Sequence, residues 1–378
     1  MDLPVDEAFT KSLPKCELHA HLSGSISRIT MHDIWKKKKA SNIDINLGDP
    51  ALALKPAGTF PTIVSFFQIF NDYIYNLVND RESIVYATRA VVEDFRRDGV
   101  RYLELRTTPR EISKANITRD EYVRIVLEAL GEYHQAQLNS TAIKEEDQIE
   151  VHLILSIDRA MTASQADEVL ELAEKYQQHT TKPTFTSTST TAISVTPPTI
   201  LGLDLCGNPT KGPISTFTPT FLRAKASPTL KTTVHFAEIP ASSTEDELTT
   251  LLSWYPDRLG HAINIPVHLK EVIKERKLGL ELCLSCNVLA EMTQGGFRGH
   301  HFGEWMRTEC PVALGTDDVG VFESELSNEY FIAASEFGLG RSEVVRVARS
   351  AIGSAFRERG RVRMERLIGG FERRMGCN

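Results

Sequence analysis

The sequence predicts an α/β fold, a TIM-type (β/α)8 barrel with a helical insertion after strand 1 and extra C-terminal helices. Eight short β-rich runs recur, helical patterns lie between them, and polar residues stand where the runs end. Eight strand–helix alternations predict a parallel sheet that closes on itself. The alternative is an open doubly wound sheet, but its G-x-G-x-x-G signature after the first strand is absent.

The β-rich runs are bounded by turn or polar residues. They cover 16–22, 100–110, 150–159, 200–209, 232–240, 257–263, 278–287 and 311–318. The helical patterns space their apolar residues by three or four positions. They cover 81–98, 118–137, 162–178, 243–254, 266–277, 324–338 and 341–358. Gly99 is suited to end the first of these helices, and Thr118 with Glu121 has the spacing of a capping box.

Two segments stand outside the alternation. Residues 23–80 are longer than an ordinary connection, and their aromatic stretch at 60–78 predicts a helical lid over the barrel. Residues 179–198 are rich in Thr, Ser and Pro, which predicts a low-complexity surface insertion.

The arginine-rich end, 357–376, also contains glutamates and predicts a charged terminal helix. We expect one domain over 1–378.

Composition and charge limit the possible functions. The 378 residues are 41% hydrophobic and 25% charged, and the net charge of −7 argues against a nucleic-acid or anionic-membrane binder. A signal peptide and a membrane-spanning apolar stretch are not expected. Six cysteines are too few for a disulfide framework, so we expect a cytosolic protein. Cys283 and Cys286 form a C-x-x-C, which we interpret as strand-end packing.

The first β-rich run carries two histidines, His19 and His21, one residue apart. Residues i and i+2 of a strand point to the same face, so the two imidazoles would share one space. Two imidazoles can hold a transition metal, usually zinc. Such a pair alone is more often incidental, and its meaning depends on further ligands elsewhere in the chain.

Further reactive side chains follow later strands. His235 and Glu238 end the fifth run, His261 ends the sixth, and Asp317 with Asp318 ends the eighth. In a parallel barrel these ends meet on one rim, where catalytic residues are found. Three histidines and one aspartate would suit zinc and leave room for water.

These residue types indicate metal-assisted hydrolytic attack on an unsaturated carbon. Zinc lowers the pKa of water to about 7, a nearby carboxylic acid can protonate the attacked group, and a histidine can orient the water or take its proton. A second metal would need a bridging group such as a carboxylated lysine at the end of strand 4. The nearest lysine, Lys211, lies well past that point, so one metal is favoured.

Five segments, "ELHAHLSGSI", "LDLCGNP", "HFAEIP", "RLGHA" and "GTDDVGVF", resemble the adenosine deaminase family of amidohydrolases in order along the chain. The similarity covers residues from about 10 to 355, without the Thr/Ser-rich insertion. More narrowly, "YLELRTTPR", "SIDR", "LELCLSCNV" and "HHFGEW" resemble its N(6)-methyl-AMP deaminase branch.

This resemblance implies a role for each matching residue. It implies one zinc ion per chain, bound by His19, His21, His235 and Asp317. Glu238 would be the catalytic proton donor to purine N1, and His261 would be catalytic by assisting the attacking hydroxide. The implied substrate-binding residues are His21, Ser23, Thr107, Thr108, Pro109, Arg110, Asp158, Gly207, Glu238 and Asp318.

The resemblance also implies a substrate, which is N(6)-methyl-AMP or a related N(6)-substituted purine nucleotide converted to IMP and an amine. Arg110 would bind the 5′-phosphate, and Asp158 would bind a ribose hydroxyl or order its loop. Ser23 stands where the branch often has asparagine. An adenosine deaminase, with Arg110 and Arg159 only in ion pairs, is the alternative, and a non-catalytic purine-binding barrel is a third. We expect a monomer whose partner is the small-molecule substrate, without nucleic acid or membrane.

Overall fold

A computed structural model describes residues 4–41, 46–54, 63–179 and 194–376. Within these residues, eight parallel strands pair in sequence order. The strands are β1 Lys15–His21, β2 Val100–Thr107, β3 Glu150–Asp158, β4 Ile200–Cys206, β5 Lys231–Phe236, β6 Arg258–His261, β7 Gly279–Leu282 and β8 Val312–Leu314. Just past β8, Asp317 bridges back to Ala20 on β1, and His21 N–H donates to the Asp317 carbonyl at 2.9 Å. The predicted (β/α)8 barrel is confirmed.

Helices surround the barrel. Within the described residues the α-helices are α1 Glu7–Ser12, α2 Arg28–Ala40, α3 Pro50–Ala53, α4 Ile63–Ile69, α5 Tyr75–Leu77, α6 Arg81–Arg97, α7 Arg119–Asn139, α8 Ala163–His179, α9 Thr218–Ala226, α10 Glu245–Ser253, α11 Val267–Arg276, α12 Leu284–Leu289, α13 Phe302–Trp305, α14 Val319–Phe322, α15 Leu326–Phe337, α16 Arg341–Ser354 and α17 Glu358–Met375. A π-helical turn, Phe70–Ile74, joins α4 to α5. Short 3-10 turns cover Ser113–Ala115, Glu145–Asp147, Ile214–Phe217, Pro240–Ser242 and Phe297–Gly299.

Local signals locate several helix ends as predicted. Gly99 follows α6 with a φ of +86°, and a Cβ there would lie 2.2 Å from the Lys11 carbonyl oxygen. Thr118 caps α7 by accepting a hydrogen bond from the backbone N–H of Glu121 at 3.2 Å. The predicted capping box is only half formed, because the Glu121 carboxylate instead binds Arg124.

Two segment boundaries differ from the sequence prediction. The run 278–287 is not one strand, since β7 ends at Leu282 and α12 begins at Leu284. Cys286 therefore lies on a short helix, and its thiol donates to the Asp317 carboxylate Oδ2 at 2.8 Å. It is buried in the core, as the packing interpretation expects, but its predicted location at a strand end is wrong. The pattern at 341–358 also stops early, because α16 ends at Ser354 and a separate α17 follows.

The insertion after β1 contains α2 to α5, so the helical prediction for 23–80 holds where the structure describes it. Most of the Thr/Ser-rich segment, residues 180–193, lies outside the described residues. The charged terminal helix predicted at 357–376 is α17. No helix in the described ranges combines the length and the apolarity that crossing a bilayer requires.

The interior of the barrel is charged. Arg106 on β2 binds Asp204 at 3.2 Å and Glu281 at 2.7 Å, while Arg258 on β6 binds Glu104 at 2.6 Å and the other oxygen of Glu281 at 2.5 Å. All five side chains are at most 1% exposed. The leucines that alternate with them along the strands are also buried and belong to the apolar core. This ionic layer forms the floor below the C-terminal ends of the strands.

Candidate active site

A cavity of about 460 Å³ opens at the C-terminal ends of the strands. Its walls combine strand-end residues with aromatic side chains from the helical insertion. Of the residues predicted for the site, it is lined by His21, Ser23, Thr107, Thr108, Arg110, Asp158, Gly207, His235, Glu238, Asp317 and Asp318. His19 and His261 are fully buried below it, and Pro109 is buried outside the lining.

Four of the predicted ligand side chains converge at the base of this cavity. His21 Nε2 lies 3.2 Å from His235 Nε2 and 3.3 Å from Asp317 Oδ1. His19 Nε2 lies 3.3 Å from the same Asp317 oxygen. Three imidazole nitrogens and one carboxylate oxygen therefore face a common point, a donor set that suits zinc and other divalent transition metals.

Two buried carboxylates orient the imidazoles from behind. Glu281 Oε2 accepts a hydrogen bond from His19 Nδ1 at 2.6 Å, and Asp204 Oδ1 accepts one from His235 Nδ1 at 3.1 Å. A histidine that donates from Nδ1 presents the lone pair of Nε2, which is the usual arrangement behind a metal ligand. His19 Nε2 is buried and, within the residues that the structure describes, lacks a hydrogen-bond partner, so this donor set fits a metal.

Two overlapping groups of possible ligand atoms lie within 4.8 Å of one another. One contains His19, His235, His261 and Asp317, and the other contains His21, Asp204 and His235. Asp204 contacts the Nδ1 atom of His235 and not its Nε2 atom. It therefore orients this imidazole and is not counted as a ligand. His261 Nε2 is 3.9 Å from Asp317 Oδ2, farther than the 3.3 Å that separates His21 from Asp317. These distances favour the set with His21 over the set with His261.

Glu238 stands beside the convergence point and lines the cavity. Its Oε1 is 3.9 Å from His261 Nε2. Burial raises the pKa of Glu238 to about 7, although the charge of His235 opposes the shift. Burial also lowers the pKa of His261 well below its ordinary value. Around pH 7 a large fraction of Glu238 is thus protonated and able to donate, while His261 is neutral.

Asp318 lies close to the turn after β1. A Cβ at Gly24 would stand 1.5 Å from Asp318 Oδ1, so this turn requires glycine there. Burial, and then the charges of Asp317 and Glu238, raise the pKa of Asp318 well above its ordinary value. Its Oδ1 is buried and has no hydrogen-bond partner among the residues described. A protonated Asp318 at the cavity wall can donate to a ring nitrogen.

Gly207 follows β4 with a φ of +93°, which favours glycine. A Cβ at this position would lie 2.6 Å from the Asp158 carboxylate. The absence of a side chain therefore lets the β4 turn approach Asp158 and leaves backbone exposed in the cavity. Asp158 also accepts from Ala160 N–H at 2.7 Å, which orders the turn after β3.

Arg110 also lines the cavity. Its guanidinium is 4.5 Å from the centre of the Tyr75 ring, and it donates to the Val78 carbonyl at 2.6 Å. No group in the described part of the chain forms a hydrogen bond with the Arg110 Nε. Arg159, by contrast, is buried in an ion pair with Glu247 at 2.6 Å and does not line the cavity.

The helical insertion supplies the apolar wall of the cavity. Phe66, Phe67 and Phe70 line it, and the Phe66 ring stacks on Phe322 with 5.4 Å between centroids. Phe322 belongs to α14, the helix that directly follows Asp318. The insertion is therefore packed against the loop that carries the two aspartates.

Sequence reasoning missed the residues that orient the site. Asp204 and Glu281 are single acidic residues inside the apolar runs "LDLC" and "LELC", at positions that alternate with leucines. A charged residue in the middle of a buried strand is costly unless it is paired, and that pattern was the available signal. Arg106, which binds both carboxylates, carried the same signal.

The comparisons with known proteins agree with the resemblance. A family model described as adenosine deaminase matches residues 14–365. N6-Methyl-AMP deaminase-L of Xenopus laevis is 36% identical over 350 residues, which span 92% of this chain and 90% of that protein. The solved Arabidopsis N6-mAMP deaminase has a TM-score of 0.80 at 31% identity, covering 96% of this chain and 99% of its own. Arabidopsis ADAL complexed with IMP has a TM-score of 0.81 at 30% identity, with 97% and 99% covered. The chain belongs to the adenosine deaminase family.

Proposed function

We propose that this protein is a zinc-dependent purine nucleotide aminohydrolase that converts N(6)-methyl-AMP to IMP and methylamine. The observation that carries the proposal is the convergence of three histidines and Asp317 beside a buried Glu238, at the base of one cavity. Relatives that align over most of the chain are named N6-methyl-AMP deaminase, and one related structure is described as complexed with IMP.

The metal ligands in this proposal are His19, His21, His235 and Asp317. When bound, a zinc ion supplies a Lewis acid that lowers the pKa of water from about 15.7 to near 7. Glu281 and Asp204 hold two of the imidazoles by Nδ1, so that their Nε2 atoms remain available.

The proposed proton donor is Glu238, directed at purine N1. Proton donation from Glu238 to N1 makes C6 electrophilic, and the water oxygen adds at C6. One of the two water protons returns to the Glu238 carboxylate and the other passes to the exocyclic nitrogen, so that cleavage of the C6–N6 bond releases methylamine and leaves the 6-oxo group. The protonated Asp318 carboxyl and the Gly207 backbone would hold the other ring nitrogens. Burial of Glu238 supports this role, because a carboxyl with a pKa of about 7 is still partly protonated at neutral pH.

A nucleotide substrate is favoured over a nucleoside by Arg110. Its guanidinium lines the cavity over the Tyr75 ring, and among the described residues its Nε has no hydrogen-bond partner. Guanidinium groups match phosphate oxygens well. Thr108, two positions before Arg110, also lines the cavity and could add a hydroxyl. We also propose that the insertion carrying Phe66 and Phe70 acts as a lid, and that the protein is a cytosolic monomer with a single domain.

Substrate profiling tests the proposal. Purified protein is incubated with N(6)-methyl-AMP, AMP, N(6)-methyladenosine and adenosine, and the 6-oxo products are followed by absorbance and chromatography. We expect the highest kcat/KM for N(6)-methyl-AMP. Preference for adenosine would replace the proposal with the nucleoside alternative. Binding without turnover after zinc is restored would support the non-catalytic barrel instead.

Metal analysis tests the ligand set separately. We expect Asp317→Ala to lose both bound zinc and activity, as measured by elemental analysis of the dialysed protein. Asp246→Ala, an exposed position on α10, is the matched control and should keep the wild-type zinc content. Full zinc occupancy in Asp317→Ala would overturn the assignment of this ligand.

A further inference from the structure

A buried chain of hydrogen bonds runs from His261 to the start of α13. Asn287 on α12 contacts His261, with 2.9 Å between Asn287 Nδ2 and His261 Nδ1. The other amide atom, Asn287 Oδ1, lies 3.1 Å from His300 Nε2. His300 Nδ1 in turn accepts from the backbone N–H of Phe302 at 3.0 Å. Asn287 and His261 are 0% exposed and His300 is 2% exposed, so water does not compete for these groups.

The hydrogen bond between Phe302 and His300 can be donated in only one direction. A backbone N–H can only donate, so His300 Nδ1 must be the acceptor and must carry no proton. A neutral imidazole has one donor and one acceptor, which places the His300 proton on Nε2. Burial lowers the pKa of His300 to about 2, in agreement with a neutral ring.

The proton position on His300 also fixes which atoms of Asn287 and His261 donate and which accept. Since His300 Nε2 donates, the atom of Asn287 that faces it must be the carbonyl oxygen. The Asn287 NH₂ group must then face His261 and donate to its Nδ1. The backbone N–H of Phe302 thus fixes the orientation of the Asn287 amide. His261 Nδ1 is thus an acceptor, and the proton of the neutral ring resides on Nε2.

The Nε2 atom of His261 faces the proposed reaction centre. It lies 3.9 Å from Glu238 Oε1 and 3.9 Å from Asp317 Oδ2, and it has no hydrogen-bond partner within the described ranges. These distances are too long for direct hydrogen bonds. They leave Nε2–H free to donate to an oxygen placed between the three side chains.

A second contact fixes the backbone of the same residue. His301 Nε2 lies 2.6 Å from the His261 carbonyl oxygen, to which it donates. His261 has a φ of +59°, an uncommon conformation for a residue with a side chain. The adjacent His300 and His301 therefore hold the ring and the main chain of His261 together, which gives the "HHFGEW" segment a physical role.

We propose that Asn287 and His300 are positioning residues that hold His261 in the tautomer protonated at Nε2, so that it donates a hydrogen bond to the attacking oxygen and does not act as its base. This inference rests on the proposed deaminase function for its catalytic meaning. The tautomer itself follows from the hydrogen bonds alone. It narrows the role of His261, for which the sequence left both orienting and proton-accepting open.

Nitrogen NMR measures the tautomer directly. Protein labelled with ¹⁵N-histidine and loaded with zinc is recorded in a long-range ¹H–¹⁵N experiment, and the signals lost in His261→Gln assign the ring. We expect a protonated-type shift for Nε2 and an unprotonated-type shift for Nδ1. The reverse pattern overturns the inference, whether or not the protein turns over its substrate. Absence of turnover with the expected tautomer would instead count against the proposed function.

Asn287→Asp tests the positioning role, because a carboxylate has no N–H to donate to His261 Nδ1. We expect the His261 proton to move to Nδ1, and kcat to fall roughly 10- to 100-fold with a smaller change in KM. His300→Phe keeps a ring but frees the amide to turn, and we expect mixed tautomers with an intermediate kcat. The exposed His268→Asn is the control and should match wild type in both measurements.

Thermal unfolding of each variant checks that it is folded. If Asn287→Asp does not fold, the wild-type spectrum and His300→Phe still decide the question. An unchanged His261 tautomer in a folded Asn287→Asp variant would overturn the proposal.

Discussion

Glu281 and His19 are joined by a hydrogen bond of 2.6 Å between the carboxylate Oε2 and the imidazole Nδ1, and both side chains are 0% exposed. The same Oε2 also accepts from Arg106 at 2.7 Å. One carboxylate therefore links the ionic layer inside the barrel to the first of the proposed metal ligands. Fold stability and metal affinity should consequently respond together to changes at Glu281.

Replacing Glu281 by glutamine should lower both the stability of the fold and the affinity for the metal. The substitution keeps the volume but leaves Arg106 and Arg258 without their shared charge partner, and breaking a buried ion pair costs about 3–5 kcal/mol. Loss of the group that orients a metal-binding histidine typically lowers metal affinity about 10- to 100-fold. Urea unfolding and competition with a zinc chelator measure the two effects.

The control is Glu309→Gln, which removes one partner of the exposed ion pair with Lys277. Exposed pairs contribute between about 0 and 1 kcal/mol, so we expect nearly wild-type unfolding and zinc affinity. A Glu281→Gln variant as stable as this control would show that the interior charges are not coupled to the fold as described.

The sequence was sufficient to predict the strands and the rim. Polar residues at strand ends, such as His235 and Asp317, are visible in a sequence because they break an apolar run, and the barrel then brings them together. The buried charges behind them left a signal in the apolar runs, but how these charges pair could not be predicted. Which carboxylate faces His19 depends on the packing of β1 against β7. The two residues that meet there, His19 and Glu281, are 262 positions apart in the sequence. Helix α12 was also missed, because "CLSCNV" is apolar and β-rich, and a short buried run does not distinguish strand from helix.

Glu238→Gln should leave the metal site intact and remove proton donation. Glutamine keeps the shape of the side chain, but its amide is not an acid near neutral pH. We expect kcat for N(6)-methyl-AMP to fall by roughly 10²-fold or more, since general acid catalysis contributes 10²- to 10⁴-fold. Steady-state kinetics with parallel zinc analysis measures both. A variant that retains more than a tenth of wild-type kcat would exclude Glu238 as the donor.

The same carboxyl predicts the direction of the pH dependence. Burial raises the pKa of Glu238 to about 7, so the donating, protonated form is present below pH 7 and is lost as the pH rises through that value. If proton donation limits the rate, kcat falls on the alkaline side with a slope approaching tenfold per pH unit. The measurement is kcat at saturating N(6)-methyl-AMP from pH 5.5 to 9, about 1.5 to 2 units either side of that pKa. Glu238→Gln should not show this alkaline decline, and an identical decline in the variant would assign it to another group.

Arg110 should distinguish nucleotides from nucleosides. Its stacking on Tyr75 holds the guanidinium at the cavity wall, and a hydrogen bond to a charged group is worth about 1.5–3 kcal/mol, or roughly 10- to 100-fold in binding. We therefore expect Arg110→Ala to lower kcat/KM for N(6)-methyl-AMP by that factor and to leave N(6)-methyladenosine almost unchanged. Arg223→Ala, which removes an exposed ion pair with Asp167, is the matched control and should change neither value. Equal losses for both substrates would mean that Arg110 supports the fold of the insertion through the Val78 carbonyl and does not contact the phosphate.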